Sequence, residues 1–223
     1  MSENEETPAT ATMQVLFVHG MGRSPLSGWP LLRDLKRAGL HTGTFGYLAA
    51  TEDASRIIAR LSARMVQLAA QGDYILIGHS LGGVLLRAAL AALPKHVRRP
   101  RHLFLLASPI GPARLAQQLG NNLIYRLLTR DCGQLLASAQ RMEGIGPASV
   151  PVTGFAGIRG LPSGWGPFRR EPNDGIVSLS EVSAAWITDQ VRVPLIHALM
   201  PSSREIAAAI IARIGPDRSL MPA

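Results

Sequence analysis

The chain has 223 residues, is 47% hydrophobic and has a mean hydropathy of +0.15, which is enough apolar material for one domain with a sizeable core. Its single cysteine, Cys132, excludes an internal disulfide framework and reads as a small buried apolar side chain, and no Cys/His grouping has zinc-ligand spacing. The net charge of +8 is carried almost entirely by scattered arginines without a nucleic-acid motif, so nucleic acid is not an expected partner, whereas peripheral contact with an anionic membrane surface stays open.

Residues 1–12, MSENEETPATAT, are acidic and polar and lack the basic start and apolar stretch of a secretory signal. They read as a flexible tail ahead of a single domain over 13–223. No apolar run is long enough to span a bilayer, and the expected compartment is the cytoplasm. A buried strand is expected at 13–18, a helix at 25–38 after a Gly/Ser/Pro loop, and a weaker strand at 44–48. Residues 52–71 have helical spacing, with Ile57, Ile58, Leu61, Met65 and Leu68 on one stripe. A strand at 74–78 runs into a helix at 81–93 that Pro94 ends. A strand at 102–107 follows, then an insert, 112–140, that reads as two or three short helices and a possible small lid. Residues 151–158 form a strand and 161–172 a Gly/Pro/Trp loop. A short helix is expected at 180–186, a last strand at 190–195, and a closing helix at 202–214 with Ser202 or Ser203 as its N-cap. Strands alternating with helices imply an α/β fold, a mostly parallel sheet of about six strands covered on both faces. The cluster KHVRRPRH, 95–102, reads as a solvated connection.

The segment YILIGHSLGGVLL places Ser80 where a buried strand turns into a helix. Gly78 and Gly82 flank it because side chains there would collide with the neighbouring strand and helix. The serine is then forced into a strained conformation with its hydroxyl exposed, which is the Gly-x-Ser-x-Gly nucleophile elbow in its strand–turn–helix context. A serine needs a base, and the base an orienting acid. His96 and His102 lie on the link at the opposite end of the sheet; His197 follows the last strand at the correct end and is the expected base. Asp174 of EPNDGIVS, carried on an Asp-Gly turn, is the expected acid, with Glu171 its nearest competitor, Asp131 a weaker one, and Asp189 at the wrong end of its strand. Two backbone N–H groups should hold the oxyanion: Leu81 after the nucleophile, and Met21 in the loop VHGMGRS, which His19 braces.

With these residues placed, the chain resembles the α/β-hydrolase superfamily, and more narrowly small lipase-like serine esterases related to class 2 lipases and to the family that includes GPI inositol-deacylases. The resemblance runs from about residue 13 to 214 through LFVHGMG, GHSLGG, LLASPIGPARLA, PVTGFAGIRG, NDGIVSLSEV and LIHALMPSSREI. It implies a Ser80–Asp174–His197 triad acting on carboxylic esters, often of lipids, with no cofactor and no metal. The loops expected to face the pocket are apolar: Met21, Leu26, Trp29, Ile110, Leu115 and Leu123, with Trp165 and Phe168 nearby. Of these, Trp29, Ile110, Leu115 and Trp165 are the main candidates to contact a small-molecule acyl substrate. Arg169 and Arg170 could meet an acidic head group or only solvent. Hydrolysis, acyl transfer or thioester cleavage on the same triad, and ligand binding without turnover all remain open, as does oligomeric state.

Overall fold

A computed structural model describes residues 13–162 and 164–214; the expected tail, residues 1–12, lies outside the described residues. Six strands form one sheet: β1 (Gln14–Val18), β2 (His41–Phe45), β3 (Tyr74–His79), β4 (His102–Leu106), β5 (Val152–Gly157) and β6 (Asp189–Val193). They lie in the order β2-β1-β3-β4-β5-β6, every pair parallel. Between and after them come α1 (Trp29–Arg37), α2 (Ala54–Gln71), α3 (Leu81–Ala92), α4 (Arg114–Leu119), α5 (Leu123–Ala137), α6 (Ala139–Glu143) and α7 (Arg204–Ile214), with short 3₁₀ turns at Pro25–Gly28, Gly166–Phe168, Ser180–Val182 and His197–Ser202.

The strand alternation sorts the core into two layers. Val15 and Phe17, Ile75 and Ile77, and Phe104 and Leu106 point to one face, where Leu31, Leu35, Ile206 and Ile210 of α1 and α7 cover them. Leu16 and Val18, Tyr74 and Leu76, and Leu103 and Leu105 point to the other, under α2 and α3. The α2 stripe of Ile57, Leu61, Met65 and Leu68 is buried as its spacing predicts. Asp53 makes no capping bond to that helix, so burial of the stripe, about 2 kcal/mol for each large apolar side chain, is what holds it.

Three expectations shift. The weak strand lies at His41–Phe45 instead of 44–48, because its register is set by β1, with Gln14 opposite His41 and Val18 opposite Phe45, and not by its own polar sequence HTGTF. The helix expected from Pro25 opens as a 3₁₀ turn and becomes α-helical only at Trp29. The helix expected at 180–186 is a single turn, Ser180–Val182, and Ser183 is already extended. The closing helix is α7, and Ser203 is the residue whose hydroxyl accepts from Ile206 N at its start.

The chain passes from β1 outward to β2, then returns to place β3 on the other side of β1. The C-terminal ends of β1 and β3 therefore part their loops at the switch in strand order, where such sheets open a crevice.

Candidate functional site

Ser80 occupies that crevice with φ 53° and ψ −125°, a conformation that side chains rarely adopt. The surroundings enforce it. Ser80 N donates to Leu106 O of β4 at 2.9 Å, and Gly83 N donates to Ser80 O at 3.0 Å. A Cβ on Gly78 would fall 2.4 Å from Gly83 Cα, and one on Gly82 would fall 2.2 Å from Val18 O. The elbow can thus be this tight only because strand and helix touch backbone to backbone.

Asp174 and His197 come together as the sequence spacing suggests. His197 Nδ1 lies 2.7 Å from Asp174 Oδ2. A carboxylate only accepts, so Nδ1 carries the proton of this bond, and in the neutral ring Nε2 is then the lone-pair nitrogen. The other carboxylate oxygen, Oδ1, accepts from the amides of Ile176 at 2.9 Å and Val177 at 2.8 Å. The backbone repeats the link, with His197 N donating to Asp174 O at 2.9 Å. Asp174 is buried, and the turn carrying it has Gly175 at φ +95°.

The other carboxylates are engaged elsewhere. Glu171 pairs with Arg114 and Ser180, which hold its carboxyl at about 2. Asp131 pairs with Arg141 and accepts from Ala54 N, and Asp189 pairs with Arg213. His102 bonds Thr153 at 2.9 Å, on the far end of the sheet. The 95–102 cluster is structural: Arg99 caps the carbonyls of Leu90 and Leu93, and Arg98 and Arg101 pair with Asp73. Cys132 is buried and its thiol is pushed up to about 12, chiefly by that burial.

Ser80 and His197 open into one cavity of about 360 Å³, also lined by Met21, Arg23, Pro109, Ala113, Leu115, Ala116, Leu119, Tyr125, Leu136, Ile176, Val177 and Ala198. Among the described residues Ser80 Oγ makes no hydrogen bond to His197; the two meet across this cavity. The Met21 loop abuts the serine, since a Cβ on Gly20 would lie 3.1 Å from Ser80 Cβ. His19 braces that loop as expected: it is buried, stacks on Tyr47 at 4.3 Å, and its carbonyl accepts from the Tyr47 hydroxyl at 2.9 Å. Leu81 N stands at the first turn of α3, whose axis brings its positive end to the site.

Of the proposed substrate contacts, Leu115 and Met21 line the cavity. Trp29, Ile110 and Trp165 do not. Trp29 begins α1 in solvent under the Arg33 guanidinium, Trp165 is exposed on its loop, and Ile110 packs against the core with its amide bound to Glu181 O. Leu26 and Leu123 are exposed and Phe168 is buried, all outside the lining.

His79 is a participant without an expected role. It is fully enclosed between Ser80 and His197, its ring 4.7 Å from the His197 ring, and Nε2 donates to His197 O at 3.1 Å. Burial holds its pKa well below the ordinary imidazole value, followed by the nearby His197. The signal was present in the period-two alternation, which puts His79 on the same side of β3 as Ile75 and Ile77.

The sheet order, the strained serine at a strand–helix turn and the Asp–His pair beside it describe a hydrolase-type α/β protein, and sequence comparison agrees. Residues 15–219 match the model of the alpha/beta hydrolase family, so the chain belongs to that family. No curated protein matches the sequence closely enough to count as a relative. Among solved structures, the mature lipase BlEst2 of Bacillus licheniformis superposes with a TM-score of 0.68 at 15% identity, covering 95% of each chain. The RedJ thioesterase of the prodiginine biosynthetic pathway of Streptomyces coelicolor gives 0.61 at 15% identity over 96% of this chain and 91% of its own. The metagenomic carboxyl esterase MGS0156 gives 0.65 at 17% identity over 85% of this chain and 65% of its own. At these identities the likeness is one of fold.

Proposed function

We propose that this hydrolase cleaves carboxylic esters of acyl or lipid-like character through an acyl-enzyme on Ser80. The observation that carries the reading is the 2.7 Å Asp174–His197 pair opening onto the cavity that exposes Ser80. His197 Nε2 takes the proton of Ser80 Oγ as that oxygen attacks the acyl carbon. The negative charge that develops on the carbonyl oxygen is met by the amides of Leu81 and Met21. His197 returns the proton to the leaving atom, the C–O bond breaks, and water repeats the sequence to release the acid. Asp174 keeps the imidazole in the required tautomer throughout. The apolar lining from Leu115, Ala116, Leu119 and Leu136 suits an acyl chain.

Hydrolysis of nitrophenyl esters of increasing acyl length, with Ser80→Ala as control, tests this. Turnover should be lost in the variant by a factor on the order of 10³ or more, with the fold intact. A folded variant that turns over normally would refute it. Thioester cleavage or acyl transfer on the same residues is the second reading, favoured by the thioesterase among the neighbours. Matched oxyester and thioester substrates, with and without added alcohol, separate the three.

The segment over α4 and α5 acts in this reading as a small lid, since it supplies Leu115, Leu119, Tyr125 and Leu136 to the cavity. Its outer side exposes Leu123, Ile124, Leu127 and Leu128 beside the exposed Arg126 and Arg130. No acidic residue occurs between 111 and 130. An apolar ridge rimmed by cations alone supports peripheral contact with an anionic lipid surface.

A further inference from the structure

We propose that Arg23 determines specificity at this site by selecting substrates whose leaving group carries an anion, a carboxylate or a phosphate. The proposal deepens the ester-hydrolase reading and rests on it. It begins with the turn that follows β1. Arg23 N donates to Gly20 O at 3.3 Å, closing a four-residue turn, and Gly22 sits at φ +68° in the position that favours glycine. Gly20 is wedged against Ser80 and His79 with no room for a methyl group to spare. The turn that presents the Met21 amide therefore also fixes where the Arg23 side chain starts.

Arg23 is exposed and lies at the rim of the cavity, where it is the only permanently charged group among the lining residues. Its Nη2 donates to Ala198 O at 3.2 Å, which leaves the other guanidinium N–H groups for a ligand. Among the described residues, no carboxylate forms an ion pair with Arg23. A guanidinium without a counter-ion at the edge of an apolar cavity is arranged to take one from the substrate.

The bond to Ala198, the residue after His197, anchors the guanidinium beside the segment that hands its proton to the leaving atom, and on that ground the proposal gives Arg23 the leaving-group side. In the acylation step Ser80 Oγ bonds to the acyl carbon. The electron pair of the broken C–O or C–S bond takes the proton from His197 Nε2, and the anionic alcohol or thiol leaves past Arg23. Water then displaces Ser80 and the carboxylic acid is released.

Two octanoyl esters test the proposal, one of 4-nitrophenol and one of the same phenol bearing a ring carboxylate. For the wild type and for Arg23→Gln, Arg23→Lys and Arg23→Glu, the quantity read is the ratio of kcat/KM for the charged ester to that for the neutral one. Arg23→Gln should lower this ratio roughly tenfold, chiefly through KM of the charged ester. Arg23→Lys should keep most of it, Arg23→Glu should lower it further, and added salt should shrink the wild-type ratio. A ratio unchanged across the three variants would overturn the proposal, even if both rates fell together, because Arg23 would then act only by holding Ala198. A folded wild type that cleaves neither ester would refute the ester-hydrolase reading itself, and this proposal with it. Wild-type turnover with an unchanged ratio removes only the role given to Arg23.

Discussion

A carboxylate that accepts two amides on one oxygen and an imidazole N–H on the other has no freedom to turn. Asp174 is held in this way by Ile176, Val177 and His197, all within 2.9 Å. Asp174→Asn keeps the shape but can place an N–H against His197 Nδ1, which favours the wrong imidazole tautomer. The expected result is a fall in kcat of roughly 10⁴-fold at pH 7 with the melting temperature little changed. Steady-state rates and a thermal melt on the same preparation check it, and a loss under tenfold would remove Asp174 as the orienting acid. His79 shows the opposite use of burial. The His197 carbonyl can only accept, so His79 carries its proton on Nε2 and supports the His197 segment as a neutral imidazole.

Among the elements, α4 is tied to the loop carrying Asp174 more firmly than its position over the cavity suggests. Glu181 accepts from Arg114 N at 2.7 Å and from Ser178 N at 2.9 Å, and Arg114 reaches Glu171 at 2.9 Å. The start of α4 and the strand-like turn carrying Asp174 thus share one buried carboxylate. Farther along, α5 breaks at Arg130, which has φ 42° and ψ −130°, and only its later part buries Cys132, Leu135 and Leu136. The earlier part carries the exposed ridge. Replacing Leu127 and Leu128 together with Gln should lower sedimentation with anionic phospholipid vesicles at least roughly fivefold, each lost leucine removing about 2 kcal/mol of potential burial, while the circular dichroism spectrum stays the same. Vesicle binding that survives the double substitution would place the contact elsewhere or exclude it. Concentration-dependent sedimentation without lipid would point to self-association of the ridge.

At the scale of the whole molecule, stability should fall on acidification in two stages. His19, His79 and His102 are held below the ordinary imidazole pKa, in each case first by burial. Below about pH 6.5 the unfolded chain protonates these rings while the folded chain resists, so the unfolded state binds more protons and is favoured. Each such ring contributes a loss of at most about 1.4 kcal/mol per pH unit. A second stage begins near pH 4.5, where carboxylates held low by hydrogen-bonding and cationic partners, Glu171 down to about 2 by Ser180 first and then Arg114, protonate first in the unfolded chain. Urea midpoints between pH 7 and pH 4 should therefore decline throughout, and His102→Gln should make the upper stage shallower, with the share of His19 and His79 retained. A midpoint constant from pH 7 to pH 5 would contradict the buried neutral histidines.

The strained strand-to-helix turn at Ser80 was legible because its requirements are local. Gly78, Ser80 and Gly82 must stand in one order between a strand and a helix, and that order is written in adjacent residues. The core helices were legible for the same reason, as the α2 stripe shows. Edge strand β2 was not, because HTGTF carries no alternation and its register comes from β1. Nor could spacing tell Asp174 from Glu171 by more than preference; the fold turned one toward His197 and the other toward Arg114. Trp29 and Trp165 looked like pocket residues from their loops, yet whether a loop side chain faces a cavity depends on partners far away in the chain. The sequence by itself determined the alternating elements, the elbow and the end of the sheet at which His197 emerges, since periodicity and glycine sterics act over a few residues. The tertiary structure alone decided which carboxylate bonds the histidine, that His79 packs against it and that Arg23 stands at the rim of the cavity, because those contacts join segments up to 175 residues apart.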